Sequence, residues 1–305
     1  MTHIPVLLKE SIEILNPRDG EFFIDGTIGS GGHSAAILEK IGPSGKLLGI
    51  DWDKNAIERL RIGKFKNCKN IILVNANYAD LPEILEKNNL PQADGLIVDL
   101  GFSSTQIESS GKGFSFLKNE PLDMRYGNED LTAAEVINSF SEKDLADLIF
   151  KYGEERFSRQ IAKKIVDERK KERILTTFQL VEIIKKALPA GRQGVPKNYE
   201  KGRINPATRT FQALRIYVNR ELENVQTLLE NLEKILKPQG RAAIISFHSL
   251  EDRLVKNYFR DLAKNEKAEI LTKKPITASD EEIKENPRSR SAKMRAIRAI
   301  ANNAN

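Results

Sequence analysis

Three acids close short apolar runs in the first hundred residues. Asp25 follows Phe22-Phe23-Ile24, Asp51 follows Leu47-Leu48-Gly49-Ile50, and Asp99 follows Leu96-Ile97-Val98. Asp25 also opens a glycine-rich stretch, Gly26-Thr27-Ile28-Gly29-Ser30-Gly31-Gly32-His33, beyond which a helical pattern starts at Ser34. A strand, a glycine turn and a helix start bring backbone close to a ligand and aim N–H groups at it. An acid about 20 residues past the last glycine of such a turn is placed to grip a ribose hydroxyl pair, and Asp51 stands there. Tyr78, after a third apolar run, can lie against a purine face. These residue types suit a nucleoside cofactor. Asp99, at the fourth strand end, suits an amine substrate. An exocyclic base amine is a poor nucleophile because its lone pair is delocalised into the ring. An acceptor that holds its N–H groups turns that lone pair toward an electrophile about 3 Å away.

A dinucleotide turn wants G-x-G-x-x-G, and glycines at 26, 29, 31 and 32 do not fit it. The stretch instead reads D-x-x-x-G-x-G from Asp25 through Gly29 to Gly31. That arrangement resembles the first motif of S-adenosylmethionine-dependent methyltransferases. There the glycines admit the methionine and ribose, and an acid can pair with the ammonium. A dinucleotide enzyme and a merely structural turn are the alternatives.

These residues need a parallel sheet to hold them. Strands are expected at Glu21–Asp25, Lys46–Asp51, Asn70–Val74 and Gly95–Asp99. Helices are expected at Ser34–Ile41, Asn55–Lys64 and Ala79–Asn88, giving βαβ units. The next strand pattern is Arg241–Phe247, after a helix stop and turn at Lys237-Pro238-Gln239-Gly240. The intervening stretch is too long for one crossover and has helical spacing over Ala133–Tyr152, Glu154–Lys171 and Phe178–Leu188. The expected architecture is α/β, with a Rossmann-like core at 1–104 and 216–305 and an inserted all-helical domain at 105–215. A helix over Pro206–Leu236 leads back to the sheet, with Asn205 as N-cap and Pro206 at N1. A helix at Leu250–Lys264 and strands near Ala268–Thr272 and Ala292–Ile300 complete the chain.

The 305 residues carry a net charge of +6. Between Ile183 and Arg220 nine Lys/Arg face one acid, Glu200, and the run Arg288, Arg290, Lys293, Arg295, Arg298 contains no acid. Such runs are nucleic-acid patches or solvated faces. One cysteine, Cys68, excludes an internal disulfide, and with three histidines a Cys/His metal cluster is not expected. Met1–Asn16 lacks the pattern of a signal peptide and no apolar run reaches membrane-spanning length, so a cytoplasmic protein without membrane association is expected.

Longer motifs carry a closer resemblance. They are His3-Ile4-Pro5-Val6-Leu7-Leu8, the Asp25–Ser34 turn, Asp99–Gln106, Gly113-Phe114-Ser115-Phe116 and Pro121-Leu122-Asp123-Met124-Arg125. Further on come Pro206–Ala213, Ser246-Phe247-His248-Ser249-Leu250-Glu251-Asp252-Arg253 and Asn286–Lys293. Together they are similar to the ribosomal small-subunit RNA methyltransferase H family, also called MraW, almost end to end. The resemblance implies a class I methyltransferase fold and N4-methylation of a cytidine in the decoding region of small-subunit (16S) ribosomal RNA, hence a role in ribosome biogenesis. It implies S-adenosyl-L-methionine contacts at Gly31, Gly32, His33, Asp51, Tyr78, Asp99 and Gln106, beside Asp25 and Gly29 from the turn itself. Tyr78 stands where phenylalanine is expected, and Asn205 where the family usually has histidine. Pro189–Pro196 reads as an expanded loop.

Asp99 is the residue expected to orient the target amine. Arg209, Arg288, Arg290 and Lys293 are candidate RNA contacts, and the basic insert is expected to act as a lid that holds phosphates around an extruded base. His33 and His248 have buried structural roles as the alternative, with Ser249 and Asp252 at capping-box spacing. Phe114 and Phe116 are either core or base-stacking residues. An amino-methyltransferase acting on DNA or protein, and an RNA-binding assembly factor with a vestigial pocket, are the rival classes. A homodimer is left open.

Overall fold

The computed structural model describes residues 4–101, 111–127, 131–188 and 205–300. His3, Gln106 and the Pro189–Pro196 loop lie outside them. The chain forms two compact units, one of residues 1–101 with 222–305 and one of residues 102–221.

The first unit is a seven-stranded sheet in the order β3-β2-β1-β4-β5-β7-β6. Its strands are β1 (Phe22–Asp25), β2 (Lys46–Asp51), β3 (Ile71–Asn75), β4 (Ala93–Asp99), β5 (Leu236–Ser246), β6 (Ala268–Ile270) and β7 (Lys293–Ala299). β1 to β5 run parallel, and β7 is antiparallel to both β5 and β6. The apolar runs are continuous because both faces are covered. Successive side chains alternate between faces. Phe22, Ile24, Leu48, Ile50, Leu96 and Val98 join one core with α4 (Leu81–Lys87), α10 (Glu221–Glu230) and α12 (Ser249–Lys264). Phe23, Leu47, Ile97, Ala243 and Ile245 join the other with α1 (Leu8–Leu15) and α2 (Gly32–Ile41). α3 (Lys54–Ile62) supplies Ile57 and Leu60 to a small cluster with Ile28 and Phe65.

The Lys237–Gly240 segment differs from its expected turn. It lies within β5 as a bulge: Ala93 pairs with Leu236, but Gly95 pairs with Arg241. Gln239 takes a φ of 67° there, so the Pro-Gln-Gly signal marks a strand excursion rather than a strand start.

The second unit contains α5 (Ala133–Ser139), α6 (Glu142–Gly153), α7 (Ser158–Arg169), α8 (Thr177–Ala187) and α9 (Thr208–Val218). The single helix expected over Ala133–Tyr152 is two, because Ser141 accepts from the Asp144 N–H and starts a new helix. The helix expected over Pro206–Leu236 is likewise α9, α10 and the short α11 (Leu232–Ile235). Asn205 is not the N-cap of α9 and Pro206 is not its N1: the helix starts at Thr208 after Ala207, and Asn205 accepts from the Ala207 N–H in the turn before it. Glu154 leaves α6 in a left-handed conformation, so α7 begins at Ser158 rather than at Glu154. Phe114 is buried and stacks on Tyr126 at 5.3 Å, while Phe116 meets the edge of Phe211. Both rings pack within this unit. Among the described residues no helix is long and apolar enough to cross a membrane.

Candidate cofactor site

The sheet brings Asp25, Asp51 and Asp99 to the carboxyl ends of three adjacent strands, where open α/β sheets bind ligands. Asp25 is 2% exposed. It accepts from the Ser34 hydroxyl at 2.6 Å and the Thr27 N–H at 3.2 Å, so it ties the turn to the start of α2. Asp51 is half-buried and accepts from the Gly29 and Asp53 N–H groups, each at 2.8 Å. Each of its oxygens keeps a lone pair for a hydroxyl. The Asn75 amide holds the chain beyond Asp51 by donating to the carbonyls of Asp51 and Trp52.

Asp99 differs from both. Its N–H donates to Thr27 Oγ1 at 2.7 Å, which joins β4 to the glycine turn. Its Oδ1 is buried with no hydrogen-bond partner among the described residues. A buried carboxylate oxygen without a donor is costly, and its titration reflects that. Burial, then the nearby charges of Asp25, Glu251 and Glu282, push the Asp99 carboxyl well above the usual range. Burial also raises Asp25 and Asp51, each to about 6, against the hydrogen bonds that they accept. Among the described residues none of the three acids of this rim forms an ion pair with a cation, although the charge of Arg59 draws Asp51 down.

Five of the turn amides are spent inside the protein. Gly26 N–H donates to Ile97, Ile28 to Ile50 and Gly31 to Ile28, while those of Thr27 and Gly29 go to Asp25 and Asp51. An anion cradle needs such groups free. Those five amides are not available to a pyrophosphate, which agrees with the glycine spacing in disfavouring a dinucleotide turn. Gly31 takes a φ of 72° and a side chain there would strike the Phe65 ring. Tyr78 opens a 3₁₀ turn capped by Asn77 and is half-buried beside Gly26, whose missing side chain lets Tyr78 approach.

His33 lies inside rather than on the rim. It is 6% exposed, and its Nε2 donates to the Val6 carbonyl at 3.0 Å. His248, not Ser249, is the N-cap of α12: its Nδ1 accepts from the Glu251 N–H, and Glu251 accepts from the His248 and Phe247 N–H groups. Glu251 and Glu282 are acids that sequence reasoning missed at this site. The H-x-x-E spacing of a capping box was the available signal for Glu251, obscured by the adjacent serine. Glu282 had none.

The basic candidates are spread out. Arg209 in the helical unit donates to the Glu154 carbonyl at 3.1 Å and stands 4.0 Å from buried Glu155. Arg290 is exposed and Arg288 half-exposed on a 3₁₀ turn, Pro287–Ser291. Lys293 lies 3.5 Å from Asp252, which Arg295 also holds at 2.6 Å. The run without acids in sequence is thus partly neutralised by acids from other elements.

The MraW methylase family model matches residues 1–300. The chain belongs to the MraW methylase family. Proteins named ribosomal RNA small subunit methyltransferase H agree along nearly the whole chain. The one from Syntrophobacter fumaroxidans is 42% identical over 97% of this chain and 96% of its own length. Those from Kosmotoga olearia and Clostridium botulinum are 45% and 44% identical, over 98% of this chain and 98% and 99% of theirs. The sheet is accordingly a class I methyltransferase fold, and the cofactor of the family is S-adenosylmethionine.

Proposed function

We propose that this protein methylates N4 of a cytidine in the decoding region of 16S ribosomal RNA within the small ribosomal subunit, in the cytoplasm, at the expense of S-adenosylmethionine. One observation carries the reading: a methylase-family chain sets three strand-end acids, one with a buried oxygen lacking a donor among the described residues, beside a glycine turn. The residues fit the cofactor, because a ligand bearing a sulfonium and an ammonium supplies the positive charge that the rim lacks. When bound, it offers a methyl group on a positively charged sulfur.

In this reading Asp51 accepts from the ribose hydroxyls and Tyr78 lies against the adenine. Gly29, Gly31 and Gly32 admit the methionine portion, with Gln106 as a further contact. Asp25 and His33 act from behind by fixing the turn and the first residues of α2. Asp99 holds the N–H groups of the cytidine amine and turns its lone pair toward the methyl. It accepts hydrogen bonds fully only when ionised. A cation beside it favours that form, so the acceptor state of Asp99 and occupancy of the site go together. Arg288, Arg290 and Lys293 contact backbone phosphates, and the helical unit with Arg209 contributes recognition of the RNA.

The test is incubation with labelled cofactor and either isolated small subunits or naked DNA, followed by digestion and identification of the labelled nucleoside. N4-methylcytidine from the subunits is the expected product. Any other methylated nucleoside, or label confined to DNA, overturns the reading.

A further inference from the structure

The chain's first described residues are held by residues near its other end. The N-terminal strap Ile4–Leu7 runs behind the glycine turn. Pro5 fills the space beside Gly32 so closely that a β-carbon on Gly32 would lie 2.2 Å from the proline ring. The next residue, Val6, accepts from His33 at 3.0 Å. The strap therefore touches two consecutive residues at the start of α2.

Two residues of a distant segment clamp that strap. Glu282, on the helix α13 (Asp280–Glu285), accepts from the Leu7 N–H at 2.8 Å. Asn286 donates to the Ile4 carbonyl at 3.1 Å. Leu7 takes a left-handed conformation with a φ of 52° while its side chain is fully buried. A leucine holds such a conformation only when its surroundings impose it. The side chain is fixed by the core, and the N–H is fixed by Glu282. Without that acceptor Leu7 can relax, and the peptide that carries Val6 and Pro5 turns with it.

We propose that Glu282 is a positioning residue for the cofactor, acting through the N-terminal strap to hold Gly32 and His33 in their binding geometry. This rests on the cofactor reading of the glycine turn. The charge of Glu282 is not what the strap needs; an acceptor oxygen is, and glutamine supplies one. Alanine supplies none.

The experiment measures S-adenosylmethionine binding to the full chain by calorimetry and by the fluorescence of Trp52, the only tryptophan and the neighbour of Asp51. Methylation of small subunits is measured alongside. Glu282→Ala is expected to weaken binding and raise KM for the cofactor about tenfold, with kcat changed less than about threefold. Glu282→Gln is expected to recover most of the lost affinity, the remainder being the charge that Glu282 adds near Asp99. Asn286→Ala, which loosens only the outer anchor, is expected to weaken binding about threefold, and it carries the test if Glu282→Ala does not fold. Wild-type binding with unchanged affinity in the folded alanine variants overturns the inference, as does a glutamine variant as weak as the alanine one. A wild type that binds no S-adenosylmethionine instead overturns the cofactor reading itself.

Discussion

Two neighbouring acid sites in the sheet unit use the same chemistry in opposite ways. At the strand-end rim, burial and like charges leave Asp99 well above the usual carboxylate range. At the inner face of α12, Asp252 is also buried, and burial raises it, yet the hydrogen bond and charge of Arg295 with Lys293 override that and hold it low. Only one position in sequence separates Asp252 from Glu251, which adds its charge to the rim. The difference teaches what each acid is for. Where a carboxylate fastens two elements, the fold supplies its cation. In the proposed cofactor reading, the strand-end acids await a cationic ligand, and the instability of Asp99 goes with that role.

The largest expected effect that tests this contrast is at Asp99. Asp99→Asn should lower kcat about 10²–10⁴-fold while raising the melting temperature of the unliganded protein at pH 8. The sign follows from linkage. A carboxyl raised in the folded state keeps its proton where the unfolded chain has lost it, so stability falls as pH climbs above the unfolded value. Asp25 and Asp51, each raised to about 6 from an ordinary value of 3.8, act in the same sense between about pH 4 and 6. Melting curves at pH 4 and pH 8 should therefore show the asparagine variant's advantage only at the higher pH. A lower melting temperature at pH 8 would break the contrast.

Asp252→Ala should do the reverse, because it strands buried Arg295 without its partner. A loss of about 3–5 kcal/mol in chemical denaturation is expected, and a loss below about 1 kcal/mol would mean that the pair is not a fastening. The smallest effect belongs to the Arg298–Glu269 pair between β7 and β6, where both side chains are about half exposed. Glu269→Ala should cost less than about 1 kcal/mol. A larger cost would show that exposure does not separate fastening pairs from decorative ones here.

The sheet was legible in the sequence because its parallel strands carry apolar runs, three of them closed by acids. Five runs stand out against the turns that bound them, and observed strand ends fall close to the expected ones. The helix breaks at Ser141 and Asn219 were not legible, since the apolar spacing carries through while a single side chain or turn ends the helix. The β5 bulge was misread for a related reason: a Pro-Gln-Gly turn signal does not say whether pairing resumes beyond it. At the site, the three acids and the glycine turn could be found by spacing. The consumption of the turn amides, the partners of Arg295 and Arg298, and the reach of Glu282 to Leu7 are long-range facts that no local pattern records. His248 was hidden because histidine is an unusual cap and a commoner one, Ser249, stands beside it.

The clamp between Leu7 and Glu282 also sets a schedule for the chain's own birth. The two residues are 275 positions apart, and a ribosome adding about 5–20 residues per second needs roughly 15–55 s to make the second after the first. For all that time the earliest strands can assemble, but the turn that opens α2 lacks its clasp. β7, which completes the sheet beside β5, arrives later still. A nascent copy of this enzyme therefore leaves its glycine turn unclasped until Glu282 has emerged. Removal of the segment that carries Glu282 and Asn286 should be felt at Ile4–Leu7.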